Sequence, residues 1–132
     1  TKQATGTFEV TLKPQPLFHE TSSLLGRMTI DKQFHGDLSA ISTGEMLSAR
    51  TDVKDSAGYV AIERASGTLH GRKGTFVLQH SSTMNKGEQK QSIAVVPDSG
   101  TDELLGLSGI MTIDIRDGKH FYDFNYRLEA NG

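Results

Sequence analysis

The fold is decided by the stretch LSGIMTIDIRDGKHFYDFNYRLE, which covers residues 107–129. Two runs, Leu107 to Arg116 and His120 to Glu129, flank Asp117-Gly118. This dipeptide suits a type I′ turn, because both central residues of that turn need a positive φ. In the second run aromatic side chains alternate with polar ones, so one face is apolar and the other polar. The stretch therefore predicts a β-hairpin with an aromatic inner face.

The same alternation extends back to the start of the chain, and glycine-containing turns interrupt it at intervals of roughly ten residues. Further strands are expected near residues 5–13, 24–34, 37–47, 58–70, 75–84 and 91–96. Pro14 is expected to end the first strand, since proline cannot donate to a ladder. Helical periodicity is nearly absent, so the pattern predicts an all-β fold.

Eight such strands in one open sheet would leave two long edges that invite aggregation, and pairing the first strand with the last removes them. We therefore predict an antiparallel, eight-stranded closed barrel, with a two-sheet β-sandwich as the alternative. The chain has 132 residues, which fits one domain spanning 1–132.

The composition excludes several classes of function. The 14 basic and 16 acidic residues are interleaved, which argues against nucleic acid or an anionic membrane as a partner. The chain has no cysteine, which excludes disulfides and thiolate chemistry and fits a cytoplasmic protein. No stretch approaches the ~18 to 20 apolar residues of a membrane span.

Three segments carry a resemblance to a known family: GRMTIDKQFHG at 26–36, GYVAIERASGTLHGRKGTFVLQH at 58–80 and PDSGTDELLGLSG at 97–109. Across nearly the whole chain they resemble a bacterial family known as a domain of unknown function. That family is similar in fold to allene oxide cyclase, a calycin-like barrel. The Gly-Thr-x-x-Leu-x-Gly-x-x-Gly pattern from Gly100 to Gly109 is similar to the same region of cyclases and dirigent proteins.

This resemblance implies a lidless barrel with an apolar cavity, and a homo-oligomer, a dimer or a trimer, as one assembly to consider. It does not carry an activity to this chain, because the catalytic residues of the plant cyclase have no residue-by-residue match here. Fold alone does not determine function.

The common catalytic motifs are missing. The chain has no Gly-x-Ser-x-Gly elbow, no phosphate-binding loop and no Gly-x-Gly-x-x-Gly, so no nucleotide cofactor is expected. Five histidines occur, but none of them has the spacing of a metal site. We therefore predict neither a cofactor nor a metal.

Polar residues that share a strand face with apolar ones are the better candidates, because such residues point into a barrel. The 58–70 strand leaves its orientation open, since Glu63 shares a face with Tyr59 but Val60 and Ile62 lie opposite. The predicted catalytic residues are Glu63, His80 and Tyr126, and the predicted ligand-binding residues are Lys32, Tyr59, Phe76, Tyr122 and Phe124.

A carboxylate in an apolar wall has its charged form disfavoured, so we expect Glu63 to act as a general acid or base near neutral pH. Tyrosine hydroxyls would then bind a developing oxyanion. The structural alternative is that each inward histidine or tyrosine is a core residue whose polar end is satisfied by backbone or water.

Three hypotheses follow. The first is a barrel that binds a small, largely apolar organic molecule in its interior and catalyses cofactor-independent isomerisation or cyclisation. The second is a non-catalytic carrier that uses the same cavity. The third is a filled barrel that acts through self-association or protein contacts, using apolar side chains that alternation places on its outer wall.

Overall fold

The computed structural model describes residues 1–17 and 24–129. In these ranges it contains eight strands and a short 3₁₀ turn at Asp102–Leu104. The strands are β1 (Lys2–Gln15), β2 (Leu25–Gly36), β3 (Leu38–Arg50), β4 (Ala57–Leu69), β5 (Arg72–Asn85), β6 (Glu88–Val95), β7 (Leu107–Arg116) and β8 (Lys119–Leu128). They pair antiparallel in sequence order, and β1 also pairs with β8, which closes the barrel. The barrel prediction is confirmed and the sandwich alternative is wrong.

Two-residue turns with positive φ at both positions make the tight hairpins. Asp117 and Gly118 have φ of 52° and 76°, which confirms the predicted type I′ geometry. His70-Gly71 and Lys86-Gly87 make equivalent turns, so these connections are shorter than the gaps left between the strands predicted at 58–70, 75–84 and 91–96. The strands are correspondingly longer.

The first strand does not stop at Pro14. β1 continues to Gln15, and Pro14 lies opposite Met28 of β2. At the end of a strand the missing N–H of proline removes little from the ladder, so the predicted stop was placed too early.

One end of the barrel is filled with apolar side chains. This closed end carries the turn at His70-Gly71 and the 3₁₀ turn, whose Leu104 is buried. Phe76 and Phe124 stack inside it with ring centroids 5.9 Å apart. The remaining core here is supplied by Ala4, Leu38, Ala65, Leu69, Leu78, Val95 and Leu107.

The other end is open. It carries the turns at Lys86-Gly87 and Asp117-Gly118, and its inward-facing Leu12 and Ile115 are 44% and 62% exposed. β6 pairs with β7 at Ala94 and Ile110, and further toward the open end the Gln91 side chain accepts a hydrogen bond from the Ile113 N–H at 3.1 Å. The barrel therefore presents a packed end and an unfilled one.

Candidate functional site

The orientation of β4 decides whether Glu63 belongs to a site. Ala61, Glu63 and Ala65 are buried on the inner face, whereas Val60 and Ile62 are 52% and 56% exposed on the outer wall. Glu63 therefore points into the barrel, and its own exposure is 0%.

Four inward side chains from four neighbouring strands form what we call the charged network. Glu63 Oε2 lies 2.7 Å from Lys32 Nζ and 2.5 Å from His80 Nε2. The second carboxylate oxygen, Oε1, accepts a hydrogen bond from Ser42 Oγ at 2.6 Å. Both oxygens of the buried carboxylate are thus hydrogen-bonded, as a buried charge requires.

Gly44 makes room for this arrangement. It pairs with Glu63 across β3 and β4, and a Cβ at position 44 would lie 2.6 Å from Glu63 Cα and 2.8 Å from Glu63 Cβ. No side chain fits at that distance. The glycine therefore lets the two strands approach beside the network.

The charges of the network reverse the expected titration of Glu63. Burial alone raises the pKa of Glu63, but the hydrogen bond from His80 and the charge of Lys32 outweigh it and lower the pKa from 4.5 to about 2. Glu63 is therefore an ionised acceptor at neutral pH. The expectation of a general acid or base poised near neutrality is wrong, because it took no account of these two partners.

An ionised Glu63 also determines which nitrogen of His80 carries a proton. A carboxylate can only accept, so His80 Nε2 is the donor in their 2.5 Å hydrogen bond. In neutral His80 the lone pair then resides on Nδ1, which has no hydrogen-bond partner among the described residues. Nδ1 of His80 therefore takes no part in the hydrogen bonds of the network.

Lys32 is held by aromatic rings as well as by Glu63. Its Nζ lies 4.8 Å from the ring centroid of Phe8 and 5.7 Å from that of Phe34. The side chain is 7% exposed. Ring faces attract an ammonium group, so the two rings help to hold the Lys32 side chain in this wall.

A cavity of about 220 Å³, which we call the mouth cavity, opens at the unfilled end. Ser82 links it to the network, because it lines the cavity and is the next inward residue after His80 on β5, roughly 7 Å away by strand geometry. The cavity is lined by Met28, Met46, Ser48, Ala49, Arg50, Ala57, Gly58, Tyr59, Ser82, Met84 and Gln89.

Tyr59 lies between the cavity and the network. Burial is the main cause of its raised pKa, hydrogen bonding from Ser82 and Gln91 opposes the rise, and the negative charge of Glu63 adds to it. Of the predicted site residues, the structure thus brings together Lys32, Tyr59, Glu63 and His80.

Tyr122 and Tyr126 do not join them. The Tyr122 hydroxyl accepts a hydrogen bond from the Leu38 N–H at 2.8 Å and donates one to the His35 carbonyl at 2.9 Å. The Tyr126 hydroxyl is hydrogen-bonded to His70 Nδ1 at the closed end. Burial raises the pKa of both phenols. Their hydroxyls tie strands and turns together, so the predicted convergence with Glu63 was wrong for these two residues.

The two predicted ligand-binding phenylalanines also lie away from the mouth cavity. Phe76 and Phe124 are 1% and 0% exposed and stack on each other at the closed end. Packing fills the space that a ligand would need there.

Sequence reasoning missed Ser42, Gly44 and the polar and methionine lining of the mouth cavity. Ser42 follows Ala40 on the inner face of β3, so alternation alone would have marked it. Arg50 lies on the same face of β3, whereas Gly44 carries no such signal, because its role depends on Glu63 lying opposite.

Among the described residues, no three histidine, aspartate or glutamate side chains are placed to hold a metal ion. No helix in the described part of the chain is long and apolar enough to cross a membrane.

The molecule is thus an eight-stranded antiparallel barrel with one packed end and, at the other end, a cavity beside a buried charged network. The model of the family described as "Protein of unknown function (DUF3224)" matches residues 4–126, and the chain belongs to this family.

A crystal structure of a DUF3224 protein of unknown function from Shewanella oneidensis MR-1, at 1.84 Å resolution, is similar to this chain. The two are 49% identical, with a TM-score of 0.95 over 98% of each chain. A search of curated proteins gave no match. The likeness to allene oxide cyclase stays a prediction.

Proposed function

We propose that this protein binds a small, largely apolar organic molecule in the mouth cavity. The observation that carries the proposal is the position of the charged network beneath an unfilled end of the barrel. The closed end demonstrates that this chain can fill a barrel with apolar side chains. The open end instead retains a cavity and buries three ionisable groups.

Burying such groups has an energetic cost. The desolvation penalty of a buried ion pair often exceeds its Coulombic gain, and apolar residues of similar volume can replace the pair at little loss. Ionisable groups kept in a cleft despite that cost are typical of functional sites. Stability alone therefore does not explain the network.

The cavity suits a small molecule. Its volume of about 220 Å³ is below the ~300 Å³ at the lower limit of drug-sized pockets, which indicates a compact ligand. Methionine side chains on three of its strands are unbranched and adapt their shape, so the cavity can widen around its ligand.

Native mass spectrometry of protein purified gently from its own host tests the proposal. Wild-type protein is expected to retain a small molecule. Ala57→Trp, which places an indole in the mouth cavity, is expected to lose it, whereas Ser81→Trp on the outer wall is expected to keep it. Because the natural chain has no tryptophan, fluorescence reports whether the new indole is buried. Equal retention by both variants would place the molecule elsewhere and refute the proposal.

A second candidate, cofactor-independent isomerisation or cyclisation, is favoured by the free Nδ1 of His80. A molecule that extends from the mouth cavity past Ser82 would reach this nitrogen, which in the neutral imidazole can accept a proton, and the ionised Glu63 would stabilise the imidazolium that forms. The test is hydrogen–deuterium exchange into the retained molecule in D₂O, followed by NMR. Exchange by the wild type and not by His80→Asn supports catalysis. A ligand that binds without exchange identifies the non-catalytic carrier instead.

A further inference from the structure

We infer that the ligand of the mouth cavity is a small aryl-substituted carboxylic acid whose carboxylate pairs with Arg50 and whose ring lies among Met28, Met46 and Met84. The inference rests on the proposed function, and it specifies the chemical class of the molecule bound there.

The lining of the mouth cavity carries a positive charge. Among the described residues that line the cavity, Arg50 is the one charged side chain, and none is a carboxylate. The cavity rim is therefore positive, which favours an anionic group on the ligand.

The Arg50 guanidinium has no partner among the described residues. Arg27 and Arg116 pair with Glu45 and Asp114, but the Arg50 side chain makes no hydrogen bond or ion pair to any residue in 1–17 or 24–129. Its place is set by the backbone, since the Arg50 N–H donates to the Leu24 carbonyl at 2.9 Å. A guanidinium presents a planar fork of donors that matches a carboxylate in a bidentate arrangement.

The apolar walls of the cavity are rich in methionine. Three of the four methionines of the chain line this one cavity. Met28 and Met46 are direct partners across β2 and β3, which places their side chains side by side. Thioether sulfurs make favourable contacts with the edges of aromatic rings, so these walls favour an aromatic body over a saturated one.

The remaining polar lining is neutral. It consists of the hydroxyls of Ser48, Tyr59 and Ser82 and the amide of Gln89, which donates a hydrogen bond to Ser82 Oγ at 3.4 Å. Such groups can orient a ligand without adding charge. The carboxylate is therefore assigned to the rim at Arg50 and the ring to the interior.

Titration calorimetry with three probes tests the inference: 3-phenylpropionate, 3-phenylpropionamide and 3-cyclohexylpropionate. The wild type is expected to bind the aromatic acid roughly tenfold more tightly than its amide, the size of one charge-assisted contact. It should bind the saturated acid a few-fold more weakly than the aromatic acid.

Arg50→Gln is expected to lower the affinity for 3-phenylpropionate to that for the amide. Arg127→Gln is the matched control, because it removes the same charge from an exposed position on the outer face of β8 and should leave all affinities unchanged. Met46→Leu combined with Met84→Leu is expected to erase the preference for the aromatic ring.

Equal wild-type affinity for acid and amide, or an unchanged acid preference in Arg50→Gln, would overturn the assignment of a carboxylate. Failure of all three probes to bind would overturn the aromatic-acid class altogether. Neither result bears on the proposed function. That proposal is tested separately, by native mass spectrometry of the molecule that the wild type retains and that Ala57→Trp loses.

Discussion

The two ends of the barrel are made of the same eight strands but bury different kinds of side chain. At the closed end Phe76 and Phe124 stack in an apolar core that also includes the buried Leu104 of the 3₁₀ turn. At the open end Glu63 is just as deeply buried but lies among Lys32, Ser42 and His80.

This difference distinguishes residues that stabilise the barrel from residues that are placed to bind a ligand. An eight-stranded barrel is just wide enough for side chains to fill, as they do at the closed end. A charged network beneath an unfilled cavity is a feature that packing does not require. The four predictions below test this distinction.

The largest effect is expected at the closed end. Phe124→Ala should lower the free energy of unfolding by about 3–5 kcal/mol, because it leaves a cavity in a packed core. Urea denaturation measures the loss. Met84→Ala at the open end is the comparison and should cost about 1 kcal/mol or less, since Met84 is 37% exposed and already borders a cavity. Equal losses would contradict the contrast between the ends.

Glu63→Gln is expected to lower the free energy of unfolding by about 3 kcal/mol, because Lys32 would remain buried without its counter-charge. Adding Lys32→Met to this variant removes both charges and should restore at least about 1 kcal/mol. Urea denaturation of the two variants measures their free energies of unfolding. If the double variant is less stable than Glu63→Gln, the ion pair is not the source of the loss.

Lowering the pH should remove the stabilisation that Glu63 gives to the folded barrel. The pKa of Glu63 is 4.5 ordinarily and about 2 in the folded protein, so the folded state binds fewer protons between these values. The stability contributed by this group is complete above pH 4.5 and is lost as the pH falls toward 2, on the order of 3 kcal/mol in total.

The advantage of the wild type over Glu63→Gln should therefore shrink across that range. Glu88→Gln, at an exposed site on β6, is the matched control and should track the wild type at every pH. A constant difference between the wild type and Glu63→Gln would show that Glu63 does not titrate there.

The smallest effects are expected from the tyrosines. Tyr122→Phe should cost about 1–3 kcal/mol, because the Leu38 N–H loses its hydrogen-bond acceptor. Tyr126→Phe should cost about 1 kcal/mol, since it breaks one hydrogen bond to His70. Neither change should alter the molecule that the protein retains in native mass spectrometry. If a variant loses that molecule without losing stability, the substituted tyrosine contributes to the binding site.

Much of the fold was predictable, because alternation and turn chemistry are local. The Asp117-Gly118 hairpin and the aromatic inner face of β8 follow from residues next to each other in the chain. The orientation of β4 was not predictable in this way, since its outer wall carries Val60 and Ile62 as well. Both faces of that strand look apolar in sequence.

The candidate site was predictable only in part. Alternation assigned Lys32 and His80 to the interior and left Glu63 open, and the structure brings the three side chains together there. The direction of the Glu63 pKa shift was wrong, because it depends on partners 31 and 17 residues away in the chain. Tyr126 was placed on the inner face and yet lies at the opposite end.

The eight alternating strands, their turns and most of the side-chain faces follow from the amino-acid sequence alone, because they depend on residues within a few positions of one another. The height of each inward residue along the barrel axis, by contrast, is visible only in the folded barrel. That height is set by how neighbouring strands are staggered when the sheet closes, and it brings Glu63 to Lys32 and His80 while it carries Tyr126 to His70.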